Sequence, residues 1–204
     1  MNSVYPLFPY PVMVCSENYK FTSDEKKYIS ELEMADNVGN SMSRNNKILE
    51  SVELSNLNAF IESQIHVYKK TLLRMKDDNE IYITQSWSNI SKPNQFHHRH
   101  KHPNSMISGA MVFSEIDENG LPPIRFHRTI EMFPLDLVFD ELNEFNTGCK
   151  WFEPIQGRLL LFPSLLEHDV EKNKSSKERI TIAFNTFVRG VIGHNSQLNE
   201  VNIL

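Results

Sequence analysis

Cysteine is nearly absent: Cys15 and Cys149 are the only two in 204 residues, far apart and in no C-x-x-C unit. A disulfide framework is therefore not expected. One bridge between them stays open, but two unpaired thiols in a reducing cytosol is the simpler reading. An excess of basic charge is also missing. Lys and Arg total 21 against 26 Asp and Glu, a net charge of −5. That balance argues against a generic binder of bulk nucleic acid or of an anionic membrane. No apolar run reaches the length of a membrane span, and the N-terminus lacks the basic-then-apolar pattern of a signal peptide, so a cytoplasmic protein is expected. No internal repeat is found. Glycine is scarce at 7 whereas phenylalanine is plentiful at 13, which suits an aromatic-lined core or pocket. Hydrophobic content of 40% and charged content of 23% are ordinary for a soluble globular chain. The length fits one domain, residues 1–204.

Residues 5–15 carry three prolines and read as an extended edge segment, with 12–15 able to pair as a strand. Thr22 and Glu25 form a capping-box pattern that opens a short helix over 23–34. Residues 36–46 and 171–177 are polar and read as surface loops. A longer helix is predicted over 54–75, with Leu57, Phe60, Ile61, Ile65, Tyr68 and Leu72 on one stripe and Ser51 or Ser55 as its cap. From Ile81 the period becomes two, with Ile81, Ile83 and Trp87 assigned to one face and Tyr82, Thr84 and Ser86 to the other. Further strands are expected over 106–115, 123–128, 150–153, 158–162 and 179–189, while 135–145 stays open between strand and helical turn. Gly109 within its strand signals a bulge or the close approach of another group. Helices followed by at least six strands exclude a doubly wound fold. The expected class is mainly β with N-terminal helices: a double-stranded β-helix, or jelly roll, buttressed by helices. Residues 1–80 form the extended segment and supporting helices, 81–190 the β-helix core, and 191–204 a draped or partly disordered tail.

Four of the eight histidines, His97, His98, His100 and His102, fall within six consecutive residues. Neutral imidazole is the commonest metal ligand at physiological pH. His100 and His102 have the H-x-H spacing that lets two ligands at a bent strand end reach one ion. His168, just past the strand that ends in Pro163-Ser164, is the natural distant third. Two ligands from one strand and one from another, with open positions opposite, is the arrangement of a non-haem iron oxygenase face. Arg179 and Thr181 share one strand face, away from Ile180 and Ile182, and make a suitable receptor for a carboxylate. The competing reading for Arg179 is an ion pair with Glu167 or Asp169. Asn89 would lie near the pocket. His66, His127 and His194 read as surface or satisfied core histidines, and His97 and His98 as loop or pocket-rim residues.

Taken in order, W-S-N (87–89), H-x-H-P-N-S (100–105), S-G (108–109), G-R-L-L-L-F-P-S-x-x-x-H (157–168) and R-I-T-I-A-F-N (179–185) resemble a bacterial and phage family of 2-oxoglutarate- and Fe(II)-dependent oxygenases. The opening L-F-P-Y-P-V (7–12) is also similar, so the resemblance spans roughly residues 5–190. It implies a double-stranded β-helix holding Fe(II), with 2-oxoglutarate as cosubstrate. His168 corresponds to the distal histidine, His100 to the first histidine of the superfamily's H-x-D/E motif, and Arg179 to the residue binding the far carboxylate. The sequence departs from that motif at His102. Either His102 ligates and gives a three-histidine face, or the metal keeps two protein ligands plus a water or anion; His102 is the expected ligand. The metal set is thus His100, His102 and His168, and the cosubstrate set Arg179, Thr181 and Asn89, with no catalytic residue beyond the metal ligands.

The leading reading is a hydroxylase, in a host's cytoplasm if phage-encoded; its substrate stays open between a protein side chain, a small molecule and a nucleobase, the acidic balance weighing against bulk nucleic acid. One rival is a cupin-like three-histidine dioxygenase or isomerase that does not use 2-oxoglutarate. Another is a non-enzymatic β-sandwich serving as a binding or structural module. The long helix suggests a homodimer.

Overall fold

The most regular alternation in the sequence becomes the longest strand. The computed structural model describes residues 3–116, 120–129 and 134–204. Its strands, in chain order, are β1 (Met13–Val14), β2 (Met34–Asn37), β3 (Asn40–Ser43), β4 (Glu80–Ser91), β5 (His97–His100), β6 (Ile107–Val112), β7 (Ile124–His127), β8 (Cys149–Phe152), β9 (Leu159–Pro163), β10 (His168–Val170), β11 (Arg179–Ile192) and β12 (Val201–Ile203). The helices are α1 (Ser23–Ser30) and α2 (Ser55–Tyr68). The larger sheet runs β1-β9-β6-β11-β4-β3-β2, with β12 added to β11, and the smaller runs β5-β10-β7-β8. Every pairing between these strands is antiparallel. This is the jelly-roll arrangement expected from the element order.

Side-chain alternation builds two cores on the two faces of the larger sheet. Ile182 and Phe184 of β11, Leu159 and Leu161 of β9, and Ile107 and Met111 of β6 pack with Leu57, Ile61, Ile65 and Tyr68 of α2. The intervening Leu160 and Phe162 turn inward and pack with Ile124, Phe126, Leu166 and Val170 from the smaller sheet's side. The site described below opens between the two sheets, on the face that carries Arg179, Thr181, Ala183 and Asn185.

Gly109 pairs directly with Phe184 in the β6–β11 ladder. A Cβ there would sit 2.2 Å from Cζ of the fully buried Phe184 ring, so close approach is the reason for the glycine. Gly109→Ala is expected to destabilise the fold by about 1–3 kcal/mol through overpacking, measurable as a lower urea midpoint. An unchanged midpoint would contradict this packing.

Several sequence expectations are corrected. The capping box forms, with Thr22 Oγ1 accepting from Glu25 N and Glu25 accepting from Thr22 N, but α1 ends at Ser30 and not at 34. The chain then enters β2, and the polar stretch read as a loop is a β2–β3 hairpin on the sheet edge, turned by Gly39 at φ +82°. Polar residues such as Asp36, Asn37, Asn40 and Ser41 suit an edge strand as well as a loop, which is why the two are hard to tell apart. No side chain caps α2; two short 3₁₀ turns, Ile48–Glu50 and Val52–Leu54, lead into it, and Ser51 bonds to Glu53 instead. A π-helical turn, Lys69–Leu73, ends it. The tail is not merely draped: β11 continues to Ile192 and β12 returns along it. Residues 134–145 contain neither strand nor helix.

The largest correction concerns β4. The register with β11 shifts between Asn185 and Thr186, so that Asn185 faces Gln85 while Thr186 faces Ile83. Thr84 is the extra residue, and a bulge reverses the parity of everything beyond it. Ile81 and Ile83 pack on the helix-side core, but Trp87 and Asn89 are carried to the opposite face, into the space between the sheets.

Candidate metal centre

Three imidazoles converge at the open end of that space. His100 closes β5 and His168 opens β10, and the two are direct partners across the antiparallel pair. His102 follows just after β5, its backbone N donating to Ser164 O at 2.8 Å. Ring centroids are 4.3 Å apart for His100–His168 and 5.1 Å for His100–His102 and His102–His168. Their candidate ligand atoms all lie within 4.8 Å of one another.

Each ring has one nitrogen already committed. His100 Nδ1 donates to His98 O at 2.7 Å, and His168 Nδ1 to Leu166 O at 2.9 Å. His102 Nδ1 donates to Asn185 Oδ1 at 2.5 Å. A proton on Nδ1 leaves the Nε2 lone pair free, which is the tautomer a metal needs. His102 Nε2 is buried without a hydrogen-bond partner, a costly state for a polar atom unless something else engages it. The donor set therefore fits a metal ion.

Burial, and secondarily the neighbouring imidazoles, hold His100 at a pKa of about 4 and His168 at about 3, from 6.5. Burial lowers His102 as well. All three are therefore neutral and ready to ligate at physiological pH. In the metal-free protein the unfolded chain takes up protons below about pH 6.5 while the folded rings do not. Their contribution to stability is thus complete above pH 6.5 and is lost as pH falls toward 4 and then 3. Chelator-treated protein should show a urea midpoint that is flat from pH 7 to 8.5 and falls steadily below 6.5. A midpoint that rises on acidification would contradict the buried, neutral cluster.

The same cavity is lined by Trp87, Asn89, His97, Ala183, Thr181 and Arg179. Arg179 is buried at 5% exposure, and its Nε donates to Pro122 O at 3.0 Å. Among the described residues no carboxylate pairs with it. Burial alone depresses its guanidinium to about 10, so it stays charged at neutral pH. The competing ion pairs go elsewhere: Glu167 pairs with Arg99, and Asp169 takes both oxygens to Arg125, with Nε–Oδ1 at 2.8 Å and Nη2–Oδ2 at 2.9 Å. Thr181 lies directly opposite Asn89 in the β4–β11 ladder. Asn89 is 5% exposed, and its Oδ1 is buried without a partner. Alternate residues on one strand face are about 6.6 Å apart. β11 therefore sets the separation between an imidazole end at Asn185 and a cationic end at Arg179.

Every site residue expected from the sequence lines this cavity. The neighbours His97 and His98 part company. His97 also lines it, stacked on His100 at 4.4 Å, while the Nδ1 of His98 lies 3.3 Å from Val38 O. His66 and His194 are exposed, and His127 sits beside Asp169, with Nε2–Oδ2 at 3.1 Å. Both cysteines are free thiols. Sequence reasoning assigned no role to Asn185, Ser108 and Ser164, which back His102. Their sequence signals are membership of the ordered motifs and a short polar residue on the cavity side of a strand or just after it.

A jelly roll in which three imidazoles converge beside a buried arginine that no described carboxylate pairs with offers a place that could hold a metal ion and receive an anion. Residues 85–185, about half of the chain, match the family model described as "Putative 2OG-Fe(II) oxygenase". The chain belongs to this family and is a 2-oxoglutarate- and Fe(II)-dependent oxygenase. No curated protein matches the sequence. Solved structures share the fold at low identity. A 2OG-Fe(II) oxygenase family oxidoreductase from Burkholderia pseudomallei superposes with a TM-score of 0.59 at 11% identity, covering 86% of this chain and 83% of its own. HygX from Streptomyces hygroscopicus, with nickel, 2-oxoglutarate and hygromycin B bound, gives 0.58 at 10% identity, with 86% and 82% covered. A Trichoplax adhaerens prolyl hydroxylase in complex with a hypoxia inducible factor peptide gives 0.58 at 14% identity, with 86% and 83% covered. No helix among the described residues is long and apolar enough to cross a membrane.

Proposed function

We propose that His100, His102 and His168 hold Fe(II) through Nε2, and that Arg179, with Thr181 and Asn89, holds the far carboxylate of 2-oxoglutarate. We further propose that the reaction is a C–H hydroxylation of a protein side chain or a small molecule. The observation carrying this reading is that three imidazoles and a guanidinium that no described carboxylate pairs with share one buried cavity. Charge supports it as well. Three neutral ligands leave a dication uncompensated and Arg179 adds another positive charge, whereas a dicarboxylate brings two negative ones. The overall change is substrate–H + O₂ + 2-oxoglutarate giving substrate–OH + succinate + CO₂.

Bound Fe(II) supplies the redox chemistry with oxygen, and the protein supplies orientation and a dry site. The Nδ1 hydrogen bonds fix the ring planes of the three ligands. Arg179 offers a forked pair of donors that matches a carboxylate, Thr181 a hydroxyl beside it, and Asn89 an amide across the ladder. Phe162, Ile124 and Val170 close the cavity with apolar surface. The substrate class draws on HygX and the prolyl hydroxylase, which hold hygromycin B and a peptide respectively.

The test is incubation of the Fe(II)-loaded chain with 2-oxoglutarate in air, following succinate and oxygen uptake in parallel with anaerobic 2-oxoglutarate binding. Binding together with slow, 2-oxoglutarate-dependent succinate formation is expected. Oxygen chemistry that ignores 2-oxoglutarate would instead favour a three-histidine dioxygenase.

A further inference from the structure

The third ligand is held differently from the other two. His100 and His168 each donate Nδ1 to a backbone carbonyl two residues earlier, a device local to its own strand end. His102 donates to a side chain 83 residues away, Asn185. Asn185 Oδ1 accepts a second hydrogen bond, from Ser108 Oγ at 2.8 Å. Ser108 Oγ in turn lies 2.8 Å from Ser164 Oγ, and Ser164 Oγ lies 2.8 Å from Ser105 Oγ. Ser105 Oγ also accepts from Thr186 N at 3.1 Å, just past the β11 bulge. Ser108 is fully buried and Ser164 is 1% exposed, so each hydroxyl must find its partner within the protein.

Ser105, Ser108, Ser164 and Asn185 belong to four separate stretches: H-P-N-S, S-G, F-P-S and A-F-N. The metal and cosubstrate roles leave all four without a use. In the fold they meet behind one imidazole.

We propose that Asn185, oriented by Ser108, is the positioning residue that selects His102 as a metal ligand by setting its tautomer. This rests on the reading of His102 as a ligand. An asparagine side chain can present either face to a ring nitrogen. With Oδ1 toward His102, the proton sits on Nδ1 and the Nε2 lone pair faces the cavity. With the amide reversed, Nδ2 would donate to Nδ1, the proton would move to Nε2, and the ring could no longer ligate. The Ser108 hydroxyl, donating into Oδ1, favours the first orientation.

The experiment uses the full-length, metal-free chain and Fe(II) alone, with affinity measured anaerobically by chelator competition and Co(II) spectra recorded beside it. Asn185→Leu, which removes the acceptor, should weaken Fe(II) binding about 10- to 100-fold and alter the Co(II) ligand-field bands. Asn185→Asp, which keeps an acceptor, should restore both. If Asn185→Leu fails to fold by circular dichroism, Asn185→Asp and Ser108→Ala decide the matter. The aspartate variant is expected to hold Fe(II) at least as tightly as the wild type and Ser108→Ala more weakly, and the reverse order overturns the proposal. Wild-type affinity in Asn185→Leu, with loss in His102→Ala, would overturn the role of Asn185 and leave the ligand set standing. Wild-type affinity in His102→Ala would remove the three-histidine reading itself.

Discussion

Arg179→Met is expected to raise the 2-oxoglutarate KM by about two to three orders of magnitude while leaving Fe(II) binding intact. The guanidinium is buried, charged and unpaired among the described residues, so a bound carboxylate would be its only counter-ion. Truncating one partner of a buried, hydrogen-bonded charge pair costs roughly 2–5 kcal/mol, about 30- to 5,000-fold in affinity. The same substitution should leave the cosubstrate-free protein equally or more stable, because it removes a desolvated charge whose one partner among the described residues is Pro122 O. Loss of 2-oxoglutarate affinity without loss of thermal stability separates an anion receptor from a structural arginine. Strong destabilisation with an unchanged KM would assign Arg179 to the fold instead. Lysine should rescue only in part, since it offers a point charge in place of a planar fork.

His168→Ala should lower bound Fe(II) from one per chain to almost none. The loss should exceed the roughly 100-fold that removal of an outer-shell partner costs. His168 is 5% exposed and pairs directly with His100 across β5 and β10, so as a ligand it would also be part of the wall. His168→Gln keeps most of the volume and separates these roles: it should fold like the wild type and still fail to hold the metal. Metal analysis of the purified variants reads this directly. An Fe(II) content near one per chain in the glutamine variant would exclude His168 from the ligand set.

Much of the site was visible in the sequence because its signals are local. H-x-H spacing, a histidine after a strand-ending Pro-Ser, and an arginine two residues from a threonine on an alternating strand need no tertiary knowledge. The capping box at Thr22 and Glu25 is local for the same reason. What was missed depends on pairing partners far away in the chain. The bulge at Thr84 is invisible in the pattern of β4 alone, yet it decides that Trp87 faces the cavity and not the helices. The β2–β3 hairpin is an edge element whose polar residues look like a loop. The support of His102 by Asn185, Ser108 and Ser164 joins β6, the end of β9 and β11. No sequence period announces a hydrogen bond between residues 83 positions apart. β9 was legible as a continuous apolar run, Leu159 to Phe162, buried on both faces, and β11 by its alternating Ile180, Ile182 and Phe184.

The most direct measurement is an anaerobic optical titration of the Fe(II)-loaded chain with 2-oxoglutarate. Cosubstrate bound at the metal would give a visible metal-to-ligand charge-transfer band that saturates at one cosubstrate per chain. The band should be absent in His168→Gln and should require far higher 2-oxoglutarate in Arg179→Met. No band in the wild type, or the same band at the same concentration in all three proteins, would contradict a cavity in which three histidines and Arg179 act on one metal and one dicarboxylate.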